Sequence, residues 1–317
     1  MPENSIDPAM LRKFDRNLLT SGGLRAARVI EPVPFCWFCD ARAGKRTKEH
    51  IFPQWLLRHH GAMDERVQPH RISVLLGGAK LSERGERPLR AHVNGEVCAT
   101  CNNGWMSALE RAVTPVLTAP APTGTITATE AETLARWFAK TAVNLNVSQP
   151  FRLLVDAESR HGLATEIPER FAVHLFRVRT QDGVFDWLQK SPEIATSGEL
   201  GAEDVLRATE LTLVAHIRVA DLVGVVVHVP QGLRPTDVKI DTALQIYPAP
   251  RDTIAWEQVP IADDYLGPLA ILDAVGTQEL RSPDADPRPR RVIRYGRSSW
   301  SGAGTTPSET PPHRTLM

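Results

Sequence analysis

Two short motifs, C-W-F-C at residues 36–39 and C-A-T-C at residues 98–101, contain all the cysteines of the chain. Each Cys-x-x-Cys pair places two thiols on one tight turn, and two such turns supply the four ligands of a tetrahedral metal site. Redox use of the dithiols is the main rival interpretation, but a dithiol relay rarely needs two matched pairs. The spacing therefore predicts a structural zinc ion, with four ligands: Cys36, Cys39, Cys98 and Cys101.

The stretch between the two pairs contains the other residues that predict chemistry. It reads K-E-H-I-F-P at residues 48–53, where alternation predicts a short strand and the proline predicts the first turn of a helix over 54–60. A second strand is predicted over 89–97. The second cysteine pair then opens a helix over 102–113, which we expect Pro115 to end.

A histidine and two possible oxygen ligands accompany these elements. His50 has an ordinary pKa near 6.5, so it can accept a proton from water at neutral pH. The carboxylate of Glu49 and an asparagine amide at the helix start suit a hard divalent ion such as Mg²⁺. Two other roles for His50 are open, as a packed structural residue or as a ligand in a Cys₃His site. The four cysteines make the second role unnecessary.

In this order, the motifs resemble the HNH endonucleases of the ββα-metal (His-Me finger) kind. The subgroup spelled K-E-H-I-F-P-Q-W-L and C-N-N-G-W-M is especially close, and the resemblance covers residues 36–115. It implies metal-dependent hydrolysis of DNA phosphodiester bonds by a ββα-metal, treble-clef-like zinc module. It further implies that His50 is the general base. Asn94 would orient that histidine, while Glu49 and Asn102 would hold a catalytic Mg²⁺ or another divalent ion.

The chain departs from the family pattern in three places, and one of them is the region of Trp105 and Met106, where many members have a lysine. Asn102 stands where many members have histidine, and Asn94 precedes Cys98 by four residues where five is commoner. Asn103 is an alternative ligand if the helix starts one residue later. The competing functional hypothesis is therefore a non-catalytic, zinc-stabilised module that binds nucleic acid or protein on an HNH-like scaffold.

The formal net charge of the 317-residue chain is zero, but the charge is unevenly distributed. Residues 1–115 carry 17 Lys and Arg against 12 Asp and Glu, whereas residues 116–280 carry 13 against 22. Residues 281–317 carry 7 against 3. A basic front and a basic tail around an acidic middle are typical of a chain that contacts nucleic acid through part of its length.

Composition and pattern together predict an α+β chain in four parts. These are an N-terminal extension (1–30), the HNH-like zinc module (31–118), an acidic α+β domain (130–280) and a flexible Pro/Arg/Ser-rich tail (281–317), with a linker over 119–129. The acidic domain is expected to bind a protein partner, to self-associate or to restrict access of the substrate; the sequence leaves these three open. A helix is predicted over 130–146, and a hairpin within 211–229 that turns at Ala220-Asp221.

The same sequence predicts a cytoplasmic protein without a membrane partner. No apolar run approaches the roughly 18–20 residues that span a bilayer. The first 28 residues carry charges throughout and show no apolar core of a secretory signal. We therefore expect the thiols to remain reduced.

Overall fold

A computed structural model describes the chain over most of its central part. The described residues are 36–41, 45–67, 70–75, 78–83, 86–119, 124–148, 154–179, 184–190, 212–235, 238, 240, 243–248 and 253–262. All of them belong to one compact unit. The predicted N-terminal extension and basic tail lie outside the described residues.

The described elements are strands and helices, with two long runs of strands, within residues 66–88 and 171–255. The strands are β1 (Arg46–His50), β2 (Arg66–Val67), β3 (His70–Leu75), β4 (Gly78–Glu83), β5 (Arg87–Pro88), β6 (Val93–Cys98), β7 (Thr125–Ile126), β8 (Phe171–Val178), β9 (Phe185–Lys190), β10 (Leu213–Val219), β11 (Leu222–His228), β12 (Leu244–Tyr247), β13 (Ile254–Ala255) and β14 (Ile261–Ala262). The α-helices are α1 (Gln54–His59), α2 (Ala99–Cys101), α3 (Ser107–Leu117), α4 (Ala128–Ser148) and α5 (Ala157–Gly162). Short 3₁₀ turns cover Leu89–Ala91 and Trp256–Gln258. The predicted mixed α+β class is confirmed.

The largest sheet has the strand order β12-β8-β11-β10-β9 with antiparallel neighbours, and β14 pairs with β8 in parallel. Its centre is the hairpin predicted from the sequence, which turns at Ala220-Asp221 between β10 and β11. Ala220 has φ 53° there, since a two-residue hairpin turn needs left-handed backbone. The smaller two-stranded pairs are β1–β6, β2–β5, β3–β4 and β7–β13.

Helix α4 packs on one face of the large sheet and forms the centre of the core. Between residues 134 and 147 every side chain except that of Arg136 is buried, including several polar ones, so the helix is enclosed by the core on almost all sides. Trp137 and Phe138 are fully buried. Gly224 on β11 permits the close approach, because a Cβ atom at this position would lie 2.4 Å from the ring of Phe138.

The hydrophobic core continues across the boundary that the sequence suggests. One cluster of buried side chains extends from Cys36 to Val259. Strand β7 lies within the predicted linker 119–129 and pairs with β13. The division into domains 31–118 and 130–280 stays a prediction, but the described residues on its two sides share one core.

Two expectations about local elements are wrong. Helix α3 runs through Pro115 to Leu117. The missing N–H of this proline frees a single carbonyl, and the helix ends two residues later in any case. The predicted strand over 89–97 begins with a 3₁₀ turn, and β6 starts only at Val93.

Candidate metal centre and the adjoining strand pair

The four cysteines converge into one cluster that is positioned to hold a metal ion. Their sulfur atoms all lie within 4.8 Å of one another, and none forms a disulfide. The Sγ atoms of Cys39 and Cys98 are 3.8 Å apart. A tetrahedral site with metal–sulfur bonds of about 2.3 Å has sulfur–sulfur edges of about 3.8 Å. The donor set therefore fits a four-coordinate metal ion.

Backbone amides prepare the cluster for negatively charged sulfur. The N–H groups of Phe38 and Cys98 donate to Sγ of Cys36 (3.4 and 3.3 Å), and the N–H of Cys101 donates to Sγ of Cys98 (3.4 Å). The first turn closes through hydrogen bonds from the N–H groups of Cys39 and Asp40 to the carbonyl of Cys36. These amides favour the thiolate forms that metal binding requires.

Without a metal ion, burial opposes ionisation of the thiols. It raises the pKa of Cys36 to about 11. Burial, together with the neighbouring Cys36, also moves the pKa of Cys101 far above its usual range. Both thiols are therefore protonated at neutral pH, and metal binding must displace their protons.

The side chain of Arg160 on helix α5 holds the first cysteine turn against the rest of the molecule. Its guanidinium lies 3.6 Å from the centre of the Trp37 ring and donates a hydrogen bond to the carbonyl of Trp37. Asp40 adopts φ 49° and pairs with His161 at 3.0 Å. Asp40 also lies 3.7 Å from Arg160. The loop that carries two metal ligands is thus contacted by two side chains of a distant helix, Arg160 and His161.

Strands β1 and β6 form an antiparallel pair that connects the two cysteine turns. Glu49 lies opposite Asn94 in this pair, and His50 lies opposite Val93. The side chains of Glu49 and Asn94 are 5% and 2% exposed. Both contact α4. The amide of Asn94 donates to the side-chain oxygen of Asn144 at 3.0 Å, and Glu49 contacts a lysine four residues earlier on that helix.

That lysine, Lys140, is fully buried and bridges two carboxylates. Its Nζ atom lies 2.6 Å from Oε1 of Glu49 and 3.0 Å from Oε1 of Glu110 on α3. Burial tends to lower the pKa of Lys140, but the two glutamates outweigh it and raise the pKa above its ordinary value. Lys140 is therefore a cation, as a lysine in an apolar core must be paired to remain charged.

The imidazole of His50 is half-buried beside the first turn of α1. Its Nε2 lies 3.0 Å from Nε2 of Gln54, and Arg58 donates to Oε1 of Gln54 at 3.4 Å. Because its oxygen accepts from Arg58, Gln54 presents its NH₂ group to the ring, so Nε2 of His50 is the acceptor. Burial is the main effect on the pKa of His50 and lowers it below 6.5, although Glu49 and Glu110 oppose the shift. The ring is therefore neutral at neutral pH.

Asn102 follows the last cysteine, and its amide has a defined orientation. Thr47 donates its single hydroxyl proton to the carbonyl of Val97 at 2.9 Å, so it can only accept from Asn102. The amide nitrogen of Asn102 occupies that position at 2.9 Å. The amide oxygen then points away from Thr47. Asn103, the alternative ligand, is exposed.

Three of the predicted residues therefore lie on the β1–β6 strand pair, and the fourth lies in the π-helical turn Asn102–Met106 between α2 and α3. They do not form a conventional cluster of ionisable ligands. Glu49, His50 and Asn94 lie on β1 and β6, and Asn102 contacts β1 through Thr47. Among the described residues, the cysteine cluster alone brings three or more His, Cys, Asp or Glu side chains within reach of one ion. The predicted catalytic set contains only two residues of these types.

Sequence reasoning missed Lys140 and Glu110. A signal for the lysine was present, because Lys140 is the one charged side chain in the apolar stretch 137–147 of a predicted helix. Such a lysine must be buried beside an anion. The identity of the anion was not readable, since Glu49 is 91 residues away along the chain.

No family model, curated protein or solved structure matches the chain. No helix in the described part of the chain is long and apolar enough to cross a membrane.

Proposed function

We propose that the chain is a metal-dependent HNH-type endonuclease that hydrolyses DNA phosphodiester bonds. The observation that carries the proposal is that Glu49, His50 and Asn94 lie on one strand pair, which Asn102 contacts through Thr47, next to four convergent cysteines. The sequence resemblance implies two strands followed by a helix, and the order of β1, β6 and the helical residues after Cys98 supports the proposal.

In this proposal His50 is the general base. A neutral imidazole with an acceptor nitrogen is the form that can take a proton from water, and burial maintains that form. The acceptor nitrogen is bonded to Gln54 in the present arrangement. A water molecule that replaces the Gln54 amide would meet the same lone pair. Asn94 would orient the histidine, as the resemblance implies, and its own amide is held by Asn144 on α4.

Glu49 and Asn102 would supply oxygen ligands to a catalytic Mg²⁺ or a similar divalent ion. Oε1 of Glu49 accepts a hydrogen bond from Lys140, so Oε2 would be the oxygen that binds the ion. The amide nitrogen of Asn102 donates to Thr47, so its amide oxygen would be the second ligand. Carboxylate and amide oxygens are the ligands that such ions prefer. When bound, the ion would polarise the phosphodiester and stabilise the leaving oxygen.

The cysteine cluster would hold a separate, structural zinc ion. Four thiolates with closed tetrahedral coordination are typical of structural rather than catalytic zinc. Both cysteine turns are attached to the β1–β6 pair or to α2, so the zinc ion would fix the elements that carry Glu49, His50 and Asn102. Zinc binding of about 10 kcal/mol or more would then contribute directly to the stability of this module.

DNA is the proposed partner, and exposed cations lie beside His50. Lys45, Arg46 and Lys48 are exposed on or next to β1. Arg42, which the sequence adds to this basic loop, lies outside the described residues. Phosphate contacts from lysine and arginine side chains supply affinity without reading sequence. The acidic α+β part stays a proposed surface for a protein partner or for self-association.

A non-catalytic binding module on the same scaffold is the second candidate. The observation that favours it is that the buried side chains of Asn94 and Glu49 both form hydrogen bonds with α4, through Asn144 and Lys140. In this alternative the role of these residues is to join α4 to the β1–β6 strand pair. Zinc and DNA binding would persist, and hydrolysis would be absent.

Plasmid nicking distinguishes the two candidates. Zinc-loaded protein would be incubated with supercoiled plasmid with and without Mg²⁺ or Mn²⁺, and DNA binding would be measured in parallel by gel shift. We expect nicking that needs the added ion and that the His50→Ala variant lacks, while both proteins shift DNA. Binding without nicking in any divalent ion would support the non-catalytic module instead.

A further inference from the structure

The ionic cluster of the buried Glu49 and Lys140 with the partly exposed Glu110 contains one more negative than positive charge. The ammonium group of Lys140 contacts one oxygen of each carboxylate, at 2.6 and 3.0 Å. Two carboxylates and one ammonium leave a net charge of −1. A buried cluster with an uncompensated charge attracts a further cation more strongly than exposed groups do.

The two carboxylates differ in how fully they are used. Glu110 accepts from Lys140 through Oε1 and from the indole N–H of Trp55 through Oε2, at 3.2 Å. Among the described contacts, the side chain of Glu49 accepts one hydrogen bond, from Lys140 to Oε1. Glu110 is therefore satisfied within the protein, whereas Oε2 of Glu49 retains its capacity to bind a cation.

We propose that Lys140 is a positioning residue of the nuclease centre, which aims Oε2 of Glu49 at the catalytic ion and limits the affinity of that carboxylate for divalent cations. This inference rests on the proposed function, in which Glu49 is a metal ligand. The ammonium group holds Oε1, and so fixes the rotation of the carboxylate. Its positive charge also repels a divalent ion bound on the other oxygen.

The repulsion between the Lys140 charge and the divalent ion distinguishes this role from simple structural support. Removing the positive charge in Lys140→Met leaves the cluster at −2, and divalent ions should bind more tightly. Removing a negative charge in Glu110→Gln brings the cluster to zero, and they should bind less tightly. A unit charge only a few ångströms from a divalent ion changes its dissociation constant about tenfold or more.

The test measures the dissociation constant of Mn²⁺ by electron paramagnetic resonance on zinc-loaded protein without DNA. The expected order from tightest to weakest is Lys140→Met, wild type, Glu110→Gln, with steps of about tenfold. Equal constants for Lys140→Met and wild type, or weaker binding by Lys140→Met, would overturn the role of Lys140. A lysine that only supports the fold would not tighten binding.

Two further variants separate this inference from the proposed function. Glu49→Gln should abolish the measured Mn²⁺ site; if it does not, Glu49 is not a metal ligand and the proposed nuclease centre itself fails. Should Lys140→Met not fold, the double variant Lys140→Met/Glu110→Gln keeps the net charge at −1. It should bind Mn²⁺ about tenfold more tightly than Glu110→Gln alone, because removal of the lysine charge outweighs the loss of its contact with Oε1 of Glu49. Equal binding by these two would overturn the inference.

Discussion

The guanidinium of Arg160 lies 3.6 Å from the centre of the Trp37 ring and is hydrogen-bonded to the Trp37 carbonyl. Trp37 lies between the first two metal-binding cysteines, whereas Arg160 belongs to α5, more than a hundred residues later. The contact with Arg160 therefore holds the first cysteine turn in place, in addition to any metal ion that the cysteines bind. The part of the chain predicted as a separate acidic domain takes part in building the metal centre.

Replacing Arg160 tests this attachment. Arg160 is 7% exposed, and both its stacking and its hydrogen bond need the planar guanidinium, so Arg160→Lys should lower the free energy of unfolding by about 2 kcal/mol. Zinc should also be lost faster to a chelator. The matched control is the exposed Arg111→Lys on α3, for which we expect no change in either chemical denaturation or zinc release. If the two variants have the same free energy of unfolding and the same rate of zinc release, the contact between Arg160 and Trp37 does not stabilise the cysteine turn.

The approach of α4 to the sheet depends on Gly224. A methyl group at this position would lie 2.4 Å from the ring of Phe138, so Gly224→Ala should destabilise the protein by about 2 kcal/mol or more. Gly95→Ala is the control, since nothing lies within 4 Å of a Cβ atom there. Urea denaturation would compare the two variants. A stability loss no larger for Gly224→Ala than for Gly95→Ala would contradict the packing.

Stability should fall in mild acid because of His174 on β8. Burial lowers the pKa of His174 from 6.5 to about 4, and its Nδ1 atom is buried without a hydrogen-bond partner. The unfolded chain therefore binds a proton that the folded chain does not. This contribution to stability is complete above pH 6.5 and is lost as the pH falls towards 4.

Thermal unfolding at about pH 7 and about pH 5 measures the effect of this histidine. His174→Gln cannot be protonated, so its midpoint should fall less than that of wild type between the two pH values. The exposed His59→Gln should keep the wild-type difference. The account of His174 fails if its variant loses as much stability in acid as wild type does.

Metal binding by the cysteines should release protons and strengthen with pH. The thiol of Cys36, with a pKa of about 11, is protonated at neutral pH and must be deprotonated to bind. Titration of the apo-protein with zinc in weak buffer should acidify the solution, and one ion per chain should saturate it. Cys36→Ser should reduce this stoichiometry, whereas the absence of proton release from wild type would contradict the assignment.

Sequence patterns predicted the parts of the centre that depend on short spacing. The four cysteines converge as the paired motifs indicate, and the long helix and the β10–β11 hairpin lie where periodicity places them. Periodicity identifies a buried face but not its partner. The contacts of α4 with Glu49 and Asn94 join residues 91 and 50 positions apart, so they emerged only from the tertiary structure.

The central claim is that His50 activates water for DNA hydrolysis, and a single-turnover rate tests it most directly. The first-order rate of cleavage of a labelled DNA duplex would be measured with zinc-loaded enzyme and saturating Mg²⁺ or Mn²⁺. Wild type, His50→Ala and His59→Ala would be compared, with unchanged circular dichroism and zinc content as a condition. We predict a loss of about 10²-fold or more for His50→Ala and none for His59→Ala. Cleavage by His50→Ala at the wild-type rate, or no cleavage by wild type in any divalent ion, would contradict the account.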